Sequence, residues 1–193
     1  MLRHHLLASV AVFGMAFGAL APAFAAAPAD TADSLRTLVE ASADRLALGH
    51  QVALSKWDSG AAVEDGGREA VVIMNAVSQG EGLGLERMWV AGLFRAQIEA
   101  NKLVQYALLA DWSRGGAPDH APVDLVRDVR PQLDVAQKAM MAALPGVAPL
   151  RTRKTCRGEV AAAVGDYLYR RQLPAGTLDA IALDRALAGV CGG

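Results

Sequence analysis

Only two of the 193 residues are cysteine, four are histidine, and aromatic residues make up 5%. Histidine scarcity removes most metal chemistry: His4 and His5 sit in the apolar leader, and His50 and His120 are isolated, so no ligand spacing exists. No C-x-x-C and no G-x-S-x-G elbow occurs, which leaves redox and Ser–His–acid catalysis without residues. The glycine-rich "GEGLGLE", Gly80 to Glu86, lacks the Lys-Ser/Thr of a phosphate loop and reads as a break between helices. Nor is there an excess of charge. Nineteen Lys and Arg face twenty Asp and Glu, a net charge of −1, so nothing draws the chain to nucleic acid.

What is abundant is alanine among 53% apolar residues, with few β-branched runs, a composition that favours helix over strand. The first 25 residues stand apart. A basic Arg3, an apolar run from Leu6 to Leu20 and the small-residue exit Ala23-Phe24-Ala25 form a signal peptide whose removal leaves Ala26 first. The run is short of the roughly 20 apolar residues of a membrane span. Residues 26–193 are then one exported domain, periplasmic or secreted, with no membrane attachment after cleavage. In an oxidising compartment Cys156 and Cys191 are read as a disulfide, which in the chain-entropy model stabilises by about 3–4 kcal/mol.

Gly and Pro punctuation divides this domain into an all-α bundle of about six helices. They are expected near 33–57, 64–79, 85–112, 123–144, 152–171 and 178–190. Pro131 lies at the start or a kink of the fourth, and "LPGVAP" (144–149) breaks the chain after it. On the first helix, Leu35, Leu38, Val39, Leu46 and Ala53 form the apolar stripe. Arg45 and Lys56, three turns apart, share one edge of it, where they either snorkel to water or face a ligand. On the third helix Arg95, Glu99 and Lys102 share a face suited to solvent-exposed ion pairs. The opposite face, with Val90, Leu93, Phe94, Val104 and Leu108, carries Gln97 and Asn101 in its middle and Gln105 at its flank. Buried amides without partners are costly, so a polar network or a polar ligand must meet them. Inward cations at Arg45, Lys56 and Arg68 with amides at Asn101 and Gln105 suit a small organic anion, and any catalysis there works by positioning and electrostatics.

The ordered set "ADRLALGHQVALSKW", "VEDGGRE", "FRAQIEANKLVQYALLADW" and "DLVRDVRPQLD", with the late cysteine pair, resembles the exported subclass of all-helical chorismate mutases over nearly the whole mature chain. The resemblance implies the unimolecular Claisen rearrangement of chorismate to prephenate, in aromatic amino acid biosynthesis, without cofactor or metal. It implies that Lys56 and Gln105 meet the ether oxygen, Lys56 with a substrate carboxylate as well. Arg45 and Arg130 bind carboxylates and Arg68 helps hold the substrate. Asp65 orients or contacts a hydroxyl, Glu69 contacts the substrate hydroxyl, and Asn101 fills a small polar position. Arg127 competes with Arg130 for the fourth-helix role. A homodimer is left open, with each site built within one chain. The rival expectation is an exported helical binding protein that holds a carboxylated ligand without turnover.

Overall fold

The computed structural model describes residues 30–192; the expected signal peptide, residues 1–25, lies outside them. Six α-helices account for the fold: α1 Thr31–Ser59, α2 Gly66–Gly82, α3 Arg87–Gly115, α4 Arg130–Val147, α5 Cys156–Arg170 and α6 Leu178–Leu187. A π turn, Leu125–Val129, leads into α4, and a 3-10 turn, Ala148–Leu150, follows it. No strand occurs among the described residues.

Helix α1 is the spine. Its stripe Leu35, Leu38, Val39, Leu46 and Ala53 is buried as the spacing predicts, and α3, α4, α5 and α6 all pack against it. Local chemistry starts and stops each element. Asp30 Oδ1 accepts from Ala32 N at the head of α1, and Gly60 ends that helix at φ 68°, a left-handed conformation that glycine adopts without strain. Asp65 caps α2, and Glu86 caps α3 through the amides of Met88 and Trp89. Pro131 sits in the first turn of α4 and has no N–H to give the carbonyl four residues back. The chain enters α4 through the wider π turn instead, with Arg130 N donating to Leu125 O.

Most boundaries shift by a few residues from the sequence expectation, and three of the shifts have a plain physical cause. Helix α4 does not stop at "LPGVAP" but continues through Pro145 to Val147. Pro145 faces outward, while Leu144, Val147 and Leu150 are fully buried and hold this stretch against the core at helical spacing. Helix α5 begins at Cys156 rather than near Thr152, because Arg153 N and Cys156 N close successive turns onto Leu150 O and Arg153 O. Helix α6 ends at Leu187 rather than Val190. Beyond it, a Cβ on Gly189 would lie 2.9 Å from Leu93 Cα, so only glycine lets the chain lie flat on α3. Trp89 Nε1 then donates to the carbonyls of Gly189 and Val190, each at 3.1 Å. The Cys156–Cys191 disulfide pins this C-terminal segment to the start of α5.

Both histidines of the domain serve as tethers. His50 Nε2 lies 3.0 Å from Asp179 Oδ1, joining α1 to α6. His120 Nε2 lies 3.0 Å from Asp58 Oδ2, which ties the loop after α3 back to the end of α1.

Candidate active site

Arg45, Lys56, Asp65, Arg68, Glu69, Asn101, Gln105 and Arg130, the eight residues singled out from the sequence, all line one cavity of about 180 Å³. It lies between α1, α2, α3, the π turn and the start of α4, and its apolar wall includes Val63, Val72, Ile98, Leu125, Val129 and Leu133. Arg127 is not part of it. Its guanidinium folds back on Asp128, with Nε–Oδ1 at 2.8 Å and Nη2–Oδ2 at 2.9 Å, and its side chain is 73% exposed. The wide turn at Leu125–Val129 buries Val129 and brings the next residue, Arg130, to the cavity.

The electrostatics are unusual for a bundle interior. Among the described residues none of Arg45, Lys56, Arg68 and Arg130 forms an ion pair, although ten other Lys, Arg and His side chains do. Arg45 is buried and its Nε has no hydrogen-bond partner. Burial first, and the neighbouring Arg68 second, push its pKa down to about 10, with Asp134 opposing. Lys56 is also lowered, chiefly by burial, while Asp65, Glu69 and Glu64 pull the other way. Such groups are poised for an anion: a carboxylate would supply the missing partner and favour their charged forms. Lys56 Nζ already donates one hydrogen to Val63 O at 2.7 Å, which leaves two for a ligand.

The amides are ordered by the backbone. Asn101 Nδ2 donates to Arg45 O at 3.1 Å, a close approach allowed by Gly49, where a Cβ would sit 3.0 Å from that nitrogen. Asn101 Oδ1 therefore turns to Gln105 and accepts from Nε2 at 2.8 Å. The second Gln105 hydrogen meets only the Asn101 carbonyl, at 3.4 Å, and Gln105 Oε1 has no partner. Gln97, expected on the same face, is elsewhere: it donates to Ser42 Oγ and Ala186 O and ties α3 to α1 and α6. The structural network expected as one outcome for the buried amides applies to Gln97, while Asn101 and Gln105 face the cavity.

Relatives of known kind share this arrangement of helices. A secreted chorismate mutase of Mycolicibacterium smegmatis is 34% identical over 178 residues, covering 87% of this chain and 95% of that protein. The chain belongs to the secreted chorismate mutase family. The chorismate mutase type II family model matches residues 30–106, which span α1, α2 and α3 as far as the cavity amides. The crystal structure of a chorismate mutase from Burkholderia phymatum superposes with a TM-score of 0.78 at 44% identity, covering 84% of this chain and 99% of that one. One from Burkholderia thailandensis superposes at 0.77 with 32% identity, covering 82% and 99%.

Within this chorismate mutase fold the sequence reading missed two participants. Lys102, placed on a solvent face with Arg95 and Glu99, has a side chain only 12% exposed and lines the cavity. It does pair with Glu99, at 2.8 Å, but also reaches Glu64 at 2.7 Å and Glu69 at 3.5 Å. Its position one turn from Ile98 and Gln105 was the available signal. Glu64, read only as the start of a helix, carries no periodic signal because it lies in the connection before α2.

Proposed function

We propose that the cavity binds chorismate and that its lining residues carry the rearrangement to prephenate. The protein is a chorismate mutase, and one observation carries the assignment of the site: four cations that form no ion pair and two ordered amides converge on one pocket with an apolar wall. The substrate is a dianion with an ether oxygen. In the reaction a C–O bond breaks as a C–C bond forms within one molecule, and negative charge grows on that oxygen. No proton transfer is required. What the protein must supply is a compact conformer and donors aimed at the developing charge.

Arg45 and Arg130 are assigned to the two carboxylates, where guanidinium forks fit the planar oxygen pairs. Arg68, exposed at the cavity rim, holds the substrate from the α2 side. Lys56 gives one of its free hydrogens to the ether oxygen and the other to a carboxylate. Gln105 gives its second N–H to the same ether oxygen, exchanging the long contact to the Asn101 carbonyl for a shorter one. Asn101 sets the Gln105 amide and lines the floor. Glu69 accepts from the substrate hydroxyl, and Asp65 orients the head of α2 by capping Arg68 N at 3.0 Å. Arg45 and Gln105 are buried beside the apolar wall, so their contacts act in a lower-dielectric space than those of the exposed Arg68 and Arg130.

The protein is exported, as its relatives are named secreted. We place the cut after Ala25 on the sequence pattern. No helix among the described residues is long and apolar enough to cross a membrane. The homodimer left open above is tested by sedimentation. Because all eight proposed site residues line the cavity within one chain, activity per chain is expected to persist on dilution.

Loss of chorismate absorbance on adding purified mature protein tests the assignment. Ligand-induced thermal stabilisation without any loss would leave a binding protein instead.

A further inference from the structure

The connection between α1 and α2, residues 60–65, closes one side of the cavity with little packing of its own. Gly60, Ala61 and Ala62 are exposed, and Val63 is its one buried side chain. Beside the cap bonds of Asp65 at the head of α2, two sets of bonds hold it. From inside, Lys56 Nζ donates to Val63 O at 2.7 Å. From outside, the next residue reaches α3: Glu64 Oε2 accepts from Lys102 Nζ at 2.7 Å and Oε1 from the Tyr106 hydroxyl at 3.0 Å. A carboxylate with both oxygens engaged fixes the adjoining peptide, and that peptide carries the carbonyl against which Lys56 is set.

Lys102 is spent on this task. An ammonium has three hydrogens, and Glu64, Glu99 and Glu69 stand at 2.7, 2.8 and 3.5 Å from it. Those contacts hold its pKa above the ordinary lysine value, the Glu64 bond first. It therefore stays charged wherever the protein works, yet has no hydrogen to spare for a ligand. Its contact with Glu69 also anchors the first turn of α2.

We propose that Lys102 and Tyr106 clamp Glu64, and that this clamp positions Lys56 through the Val63 carbonyl and Glu69 through the shared ammonium. The inference rests on the chorismate mutase assignment of the cavity. Lys102 is a positioning residue: it acts on Lys56 and Glu69 and does not touch the reacting atoms.

Steady-state kinetics of Lys102→Met, Glu64→Gln and Tyr106→Phe test it, together with Lys102→Arg and the double variant Lys102→Met/Glu64→Gln. The expected result is a fall in kcat of about tenfold or more for Lys102→Met and Glu64→Gln, since small misplacement of a reacting group is costly, with a smaller change in KM. Tyr106→Phe falls less, Lys102→Arg recovers most of the loss, and the double variant loses no more than the worse single one. Glu64 has a side chain 57% exposed and takes nothing from the core when replaced, so it carries the test if Lys102→Met does not fold. Glu64→Gln with unchanged kcat, or a lowered melting temperature without any kinetic change, overturns the clamp. Unmutated protein that leaves chorismate intact would overturn the underlying assignment first, in the same assay.

Discussion

Asn101 hands its amide hydrogen to the Arg45 carbonyl at 3.1 Å, so its own carbonyl oxygen is turned onto Gln105 at 2.8 Å. The backbone of α1 thus sets the orientation of a side chain on α3 one turn further along. With Gln105, this position donates at any ordinary pH, because an amide does not titrate. Lys56 and Arg45 must stay protonated. The expected profile of kcat/KM is flat from mildly acidic to mildly alkaline pH and then falls at higher pH, as Lys56 and Arg45, both lowered by burial, lose their protons. A pH series of kcat/KM, which reports the free enzyme, checks this; a steep alkaline loss with a carboxylate-like midpoint would contradict it.

Gln105→Glu converts that amide into a group that donates only when protonated. The variant is expected to lose activity at neutral pH and regain it as pH falls. A profile matching the unmutated protein would remove Gln105 from the ether oxygen.

Lys56→Ala is expected to lower kcat/KM by about 10²–10³-fold or more, the scale for losing a donor to a developing oxyanion. Lys56 lies at the cavity and outside the core cluster, so the circular dichroism melt is expected to change little. Full turnover in the variant would exclude this lysine from the mechanism.

Arg45→Met gives the opposite pairing of effects. A buried guanidinium with an unpartnered Nε lowers stability at neutral pH, and an apolar side chain of similar length removes that cost. The variant is expected to gain on the order of 1–3 kcal/mol in denaturant unfolding while losing substrate binding. A variant less stable than the parent would show that Arg45 is satisfied in the empty protein.

Reducing the Cys156–Cys191 disulfide, which closes a separation of 35 residues, is expected to cost about 3–4 kcal/mol of stability in the chain-entropy model. Neither cysteine lines the cavity, so turnover at moderate temperature is expected to survive. Parallel melts and assays with and without reductant check both halves.

The two long helices were legible because their apolar stripes run for many turns; Leu35 to Ala53 and Val90 to Val104 lie on the core face that periodicity assigns them. Punctuation was a poorer guide. Pro145 looks like a stop, but three fully buried neighbours at Leu144, Val147 and Leu150 outweigh its missing N–H. Arg45, Lys56 and Arg68 were legible as a set of cavity cations and the resemblance added Arg130, whereas Lys102 was misplaced, since helical period names a face and not the partner that folds over it. Arg127 and Arg130 were left unresolved for a related reason. A π turn advances the chain differently from an α turn, so a regular wheel cannot say which arginine points inward.

The charge of Arg68 lowers the pKa of Arg45, so two like charges oppose one another at the cavity. The resting protein therefore stores a small electrical tension, and arrival of a dianion discharges it. Binding thereby relieves a repulsion that the protein alone must bear, and the exposed Arg68 and Arg130 stand where an entering dianion meets positive charge first.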